Sequence, residues 1–243
     1  MQKRIIPTLL LRDFDFVKSF SFKDYMYLGD PLNIIKILNE KFIDELVILN
    51  ISKGNCSNFD FLSDIYSEAF VPISYGGALN DLDTIEKLLS LGIERVVLNA
   101  EKFFQQNFIS ESVKCFGSST ICAKIDVGST YRHSILITQL SERIVWCADQ
   151  GVSEIIIQST DRDGSRLGLD RELLKVANRH KDEISIVLSG GLGDLSELTD
   201  PIWSELGGVS ASSLFSFAPG STSVLINNPG VDYSEVDHEQ CMP

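Results

Sequence analysis

The chain has 243 residues, 44% of them hydrophobic and 23% charged, which is a globular composition long enough for one large domain or two small ones. A formal charge of −13 argues against nucleic-acid partners, whose phosphates an acidic surface repels, and no apolar run is long enough to predict a membrane-spanning helix. Five cysteines with no C-x-x-C pair and three scattered histidines predict reduced thiols in a cytoplasm, with no disulfide framework, no metal site and no cofactor.

In chain order, "RIIPTLLL" (4–11) reads as a first buried strand. It is too short, and too soon followed by charge, to be a signal peptide. "DPLNIIKILNEKF" (30–42) reads as a helix, with Asp30 as N-cap and Pro31 at the first helical position. "ELVILNI" (45–51) and "FVPISY" (70–75) are the second and third strands. "NDLDTIEKLLSLG" (80–92) is a helix stopped by Gly92, and "ERVVLN" (94–99) is the fourth strand. The second half repeats the alternation. Strands are predicted at "TICAKIDV" (120–127), "SEIIIQST" (153–160), "EISIVLS" (183–189) and "LGGVSASS" (206–213), with a helix at "LSERIVWCADQG" (140–151). Strands that are apolar throughout are buried on both faces, which implies a parallel sheet covered by helices. Eight such units predict a single (β/α)8 TIM barrel over residues 1–230, with 231–243 as a flexible acidic tail. A doubly wound open sheet is the alternative, but the first strand is not followed by the glycine fingerprint usual there.

The two halves, about 1–117 and 118–230, resemble each other. "SYGGALNDLDTIEKLLSLG" (74–92) aligns with "LSGGLGDLSELTDPIWSELG" (188–207), and "DELVILNIS" echoes "SEIIIQSTD". The glycine pairs Gly76-Gly77 and Gly190-Gly191 fall at the ends of the third and seventh strands, on the face where barrels of this class hold their active sites. A glycine pair by itself need only make a tight strand-to-helix turn. Two symmetric copies, each beside a polar strand end, predict two phosphate cradles, because glycine lets backbone N–H groups approach an anion. The first would use Gly77, Ala78, Asn99 and Ala100; the second would use Gly164, Gly191, Ser212 and Ser213. A ligand phosphorylated at both ends would span the mouth.

The ordered set "KRIIP", "GDP", "DELVILNI", "GGALND", "ERVVLNA", "IDV", "STDRDGSRLGLD", "SGGLG" and "SSLFSF" resembles the cyclase subunit of imidazole glycerol phosphate synthase over roughly residues 3–228. The resemblance implies a bis-phosphorylated ribulose-type substrate. It also implies ammonia delivered by a glutaminase docked at the barrel bottom, and two catalytic aspartates at the ends of the first and fifth strands. Asp126 in "AKIDVG" fills the fifth-strand position. Leu10 occupies the first-strand position, so acid–base catalysis by two carboxylates is incomplete, and Asp13 and Asp15 are out of register with it. Asn50 stands where the family tends to have Asp, Ala78 where it has a third glycine, and "GSTYRHSIL" (128–136) is short for the family's hairpin. Lys18 matches a family lysine near the substrate, although a solvated loop lysine is the competing reading, and Asp163 and Gly164 sit beside the second cradle.

At the opposite end, Arg4, Glu45, Arg95 and Glu154 match the family's charged ring, read as an ammonia gate in which each arginine pairs with both glutamates; a plain ion-pair plug is the alternative. The segment "SLFSFAPGSTSVLINNPG" (213–230) resembles a branch of the family tied to bacterial surface polysaccharides, where a third protein amidates a sugar. Three functions follow from these readings: an ammonia-conducting barrel of a sugar amidotransferase complex, an ordinary cyclase of histidine biosynthesis, or a non-catalytic phosphate-binding scaffold.

Overall fold

A computed structural model describes residues 4–229 apart from 42, 54–57, 131–133, 200–202 and 204. Eight parallel strands form the barrel: β1 (Ile5–Arg12), β4 (Leu46–Asn50), β5 (Ile73–Gly76), β6 (Arg95–Asn99), β7 (Ile121–Val127), β8 (Glu154–Ser159), β9 (Ser185–Ser189) and β10 (Gly208–Ala211). Pairing of β10 with β1, Ile5 beside Val209 and Pro7 beside Ala211, closes the sheet on itself. The architecture is the expected TIM barrel and not an open sheet. Helices α1 (Pro31–Glu40), α2 (Phe59–Glu68), α3 (Leu82–Ser90), α4 (Phe108–Phe116), α5 (Leu140–Asp149) and α6 (Arg171–Arg179) lie between strands, and the short α7 (Ser213–Ser216) follows the last one. Asp30 caps α1 by accepting from Asn33 N at 3.0 Å, with Pro31 just inside, so the start signal in the sequence acts as read.

Alternation along each strand divides the core in two. Outward residues such as Ile48, Ile125, Ile155 and Ile157 pack under the helices. Inward residues Ile6, Val47, Val97, Cys122, Ile156 and Val187 make a separate apolar layer across the barrel axis, with Leu49 packed against it. Burial pushes the Cys122 thiol well above its usual range, so this layer carries no charge.

One feature departs from the sequence reading. Between β1 and α1, an antiparallel hairpin of β2 (Asp15–Phe20) and β3 (Asp24–Gly29) extends β1 over the mouth, with Leu10 opposite Val17 and Lys18 opposite Met26. Its turns hold Asp13, Phe14, Ser21 and Phe22 at φ of 50°, 74°, 48° and 59°. These are left-handed positions that usually call for Gly or Asn, and neither turn contains one, so the hairpin has no glycine signal to read.

Candidate active site at the barrel mouth

At the C-terminal ends of the strands, β1 presents Leu10 and β7 presents Asp126, which is buried. Lys124 lies two residues before Asp126 on the same inward face, and its Nζ forms an ion pair with Asp126 Oδ1. Asn99 Nδ2, at the end of β6, faces Asp126 Oδ2 at 3.4 Å. Both oxygens of the carboxylate are therefore engaged. Sequence reasoning misses Lys124, although a lysine two residues before Asp126 in the otherwise apolar "ICAKIDV" run is a legible signal.

Lys18 is not a solvated loop residue. It lies within β2 at 1% exposure and donates from Nζ to Asp163 Oδ1 at 3.1 Å and to Ser19 O at 2.6 Å. The Ser19 hydroxyl donates to Asp163 Oδ2. Burial drives the Lys18 pKa below the ordinary lysine value, against the opposing pull of Asp163. The hairpin brings Lys18 to the loop after β8 that carries Asp163 and Gly164, and Ser21 N donates to Asp163 O at 3.0 Å. Asn50 serves local structure: its Oδ1 accepts from Ser52 N and its Nδ2 donates to Tyr75 Oη, both at 2.9 Å. Asp161, in the loop after β8, accepts from the hydroxyls of Ser129 and Thr130 in the loop after β7, at 2.8 and 2.7 Å, and residues 131–133 lie outside the described residues.

Among the described residues, two cavities at this face carry the expected cradle glycines. The larger, about 340 Å³, is lined by Gly77, Asn99 and Asp126; the other holds Gly164, Gly191, Ser212 and Ser213 together with Lys18. Gly77 has φ +117°, and a Cβ there would lie 2.0 Å from Asn50 O; at Gly191, φ is +99° and a Cβ would lie 2.2 Å from Gly168 O. Only glycine fits either turn. Ser212 Oγ is buried with no hydrogen-bond partner among the described residues, which leaves a polar atom in the wall of the second cavity. Of the groups expected in a first cradle, Ala100 N and Asn99 Oδ1 already have partners within the chain. Ala100 N donates to Lys124 O at 2.8 Å, extending the β6–β7 ladder, so its N–H does not face an anion. Asn99 Oδ1 accepts from Lys102 N at 2.9 Å. Ala78 is exposed with φ +53°, in the left-handed region.

At the barrel bottom the four charged residues converge. Arg4 grips Glu45 through Nε at 2.8 Å and Nη2 at 3.0 Å, and reaches Glu154 through Nη1 at 2.6 Å. Arg95 Nη1 donates to Glu154 Oε1 at 2.5 Å, and Ser185 Oγ to Glu154 Oε2 at 3.0 Å. Burial alone would raise the Glu154 pKa, but hydrogen bonds and charge from Arg4 and Arg95 outweigh it and hold the carboxyl below its ordinary value. The pairs run as a chain, Glu45–Arg4–Glu154–Arg95. Among the described residues no ion pair joins Arg95 to Glu45, so the expectation that each arginine holds both glutamates is corrected. Each strand starts with its side chain at a fixed angle around the axis, and that angle sets which charges meet.

Among the described residues, no group of His, Cys, Asp and Glu could hold a metal ion, and no helix is long and apolar enough to cross a membrane. The family model described as "Histidine biosynthesis protein" matches residues 4–217. A Pseudomonas aeruginosa protein provisionally named imidazole glycerol phosphate synthase subunit hisF2 is 34% identical, covering 97% of this chain and 99% of its own length. A Leptospira borgpetersenii protein provisionally named as the HisF subunit is 34% identical over 94% and 96%. The imidazole glycerol phosphate synthase subunit HisF of Campylobacter concisus is 30% identical over 88% and 90%. With the barrel, the paired glycine turns and this match along nearly its whole length, the chain belongs to the histidine biosynthesis protein family.

Proposed function

We propose that this barrel is the ammonia-receiving subunit of a glutamine amidotransferase complex. A glutaminase docks at the bottom, ammonia passes the Arg4–Glu45–Arg95–Glu154 cluster and the apolar layer, and it is used at the mouth. One contrast carries the reading: the charged cluster at the entrance is complete, while the mouth has Leu10 in place of one carboxylate and Lys124 against the other. Leucine moves no proton, and both oxygens of the remaining carboxylate are already engaged, by Lys124 and Asn99. Selection for ring closure has no use for such a mouth, whereas ammonia delivery still needs the entrance. The product we favour is an amidated sugar of a bacterial surface polysaccharide, made with a third protein as acceptor. The resemblance of residues 213–230 to that branch supports this, as does the hisF2 designation of a relative.

The alternative is an ordinary cyclase subunit, as the Campylobacter concisus relative is named. The two readings separate in one assay. The purified barrel, given ammonium and the ribulose-type bisphosphate, is expected to close the imidazole ring about 10²–10⁴-fold more slowly than that relative, the usual cost of one lost proton-transfer group. A rate matching the relative overturns the proposal and assigns the cyclase. A slow rate together with co-purification of an active glutaminase supports it. A slow rate with no glutaminase bound leaves only a scaffold.

A further inference from the structure

We infer that Lys124 makes the middle of the mouth a binding point for a carboxylate, so that the ligand is a phosphorylated sugar acid with its phosphate in a glycine cradle. This rests on the cradle reading of the mouth and is independent of ammonia conduction.

Position is the first argument. The Lys124 side chain is only 10% exposed, yet it lines both cavities, along with Leu10, Leu49 and Phe22. It stands on the partition between the two cradles. Its ammonium has three N–H donors. Asp126 Oδ1 takes one, and among the described residues no other hydrogen-bond acceptor is found for it. The Phe22 ring centroid lies 5.5 Å from Nζ, on a residue whose φ of 59° turns the chain over the mouth. A buried ammonium with donors to spare, facing open volume, is built to meet oxygen atoms of something outside the protein.

Charge is the second argument. Among the described residues lining the two cavities, the charged side chains form two pairs of opposite charge, Lys18 with Asp163 and Lys124 with Asp126. Leu10 adds no charge. A carboxylate at that position would add a negative charge and a competing acceptor beside Lys124. With Leu10 and Leu49 as walls the local dielectric is low, which strengthens a charge-assisted hydrogen bond to Lys124.

The test compares 6-phosphogluconate with sorbitol 6-phosphate, which share chain length and phosphate and differ in a terminal carboxylate. Calorimetry on the full chain is expected to give the acid about ten- to hundredfold tighter binding, the usual worth of a hydrogen bond to a charged group. Lys124→Met should abolish that preference, and so should Lys124→Met combined with Asp126→Asn, which strands no buried carboxylate. Asp126→Asn, which weakens the competing partner, should increase the preference. Equal affinities for the two ligands in wild type overturn the inference while leaving the cradles standing, and need no variant to fold. A preference that survives in Lys124→Met overturns it as well. Binding of neither compound removes the cradle reading and this inference with it.

Discussion

Glu154 is the point at which the bottom cluster is most exposed to perturbation. Its carboxylate is 8% exposed and accepts from Arg4, Arg95 and Ser185. Glu154→Ala leaves two guanidinium groups without their shared acceptor. Removing one partner of a fully buried pair costs about 3–5 kcal/mol. Here Arg4 and Arg95 retain 37% and 27% side-chain exposure, and Arg4 keeps its two-pronged grip on Glu45. Water screens part of the loss, so about 2–3 kcal/mol is the expected cost. For a chain of this size that corresponds to a melting temperature lower by about 4–12 °C. Glu154→Gln keeps an acceptor oxygen and should fall between the two. The pH dependence has a definite sign. The folded carboxyl titrates below its unfolded value, so its contribution is complete above the unfolded value of about 4.3 and is lost as pH falls through the depressed folded value. Thermal melts of wild type and Glu154→Gln should therefore differ by a constant amount at neutral pH and converge in acid. In the complex with glutaminase, the same variants should raise the ratio of glutamine consumed to product amidated, while free ammonium still supports the reaction. A Glu154→Ala protein that melts within about 1 °C of wild type, or a difference that grows in acid, would refute the reasoning.

Three further outcomes follow from the mouth. Crystals grown in phosphate or sulfate should hold one anion at Gly77–Asn99 and another at Gly164–Gly191–Ser213, related by the pseudo-two-fold axis; water alone at both places in electron density would discount the cradles. Gly77→Ala should destabilise the fold by at least about 2 kcal/mol and weaken phosphate binding, because the new Cβ meets Asn50 O at a φ of +117°; a normal melt and normal binding would contradict the geometry. Because burial lowers the folded pKa of Lys18, the unfolded chain binds more protons between that value and about 10.4, so stability gains a rising contribution with pH across that window. Denaturant titrations at stepped pH should show that slope in wild type and lose it in Lys18→Met.

Much of this molecule is written locally. The apolar strand runs, the Asp30-Pro31 start and the Gly92 stop are short-range signals, and each acts within a few residues of itself. The repeat of the glycine pair at 76–77 and 190–191 located the mouth, because a left-handed turn pressed against a neighbouring strand admits no side chain. The absence of a carboxylate at Leu10 needed no structure either. The hairpin over the mouth did, since Phe14 and Phe22 occupy left-handed positions against their own preference and only the packing of β2 and β3 on β1 holds them there. The state of Lys18 and the pairing order of the bottom charges also came from the fold: Asp163 lies 145 residues from Lys18, and Glu154 lies 150 from Arg4. Whether a lysine is solvated or buried, and which carboxylate it meets, depends on barrel closure and on strand stagger, quantities that no local stretch of chain encodes. Lys124 shows both halves at once. Its alternation with Asp126 was legible along one strand, while its place between two cavities exists only once eight strands have closed around it.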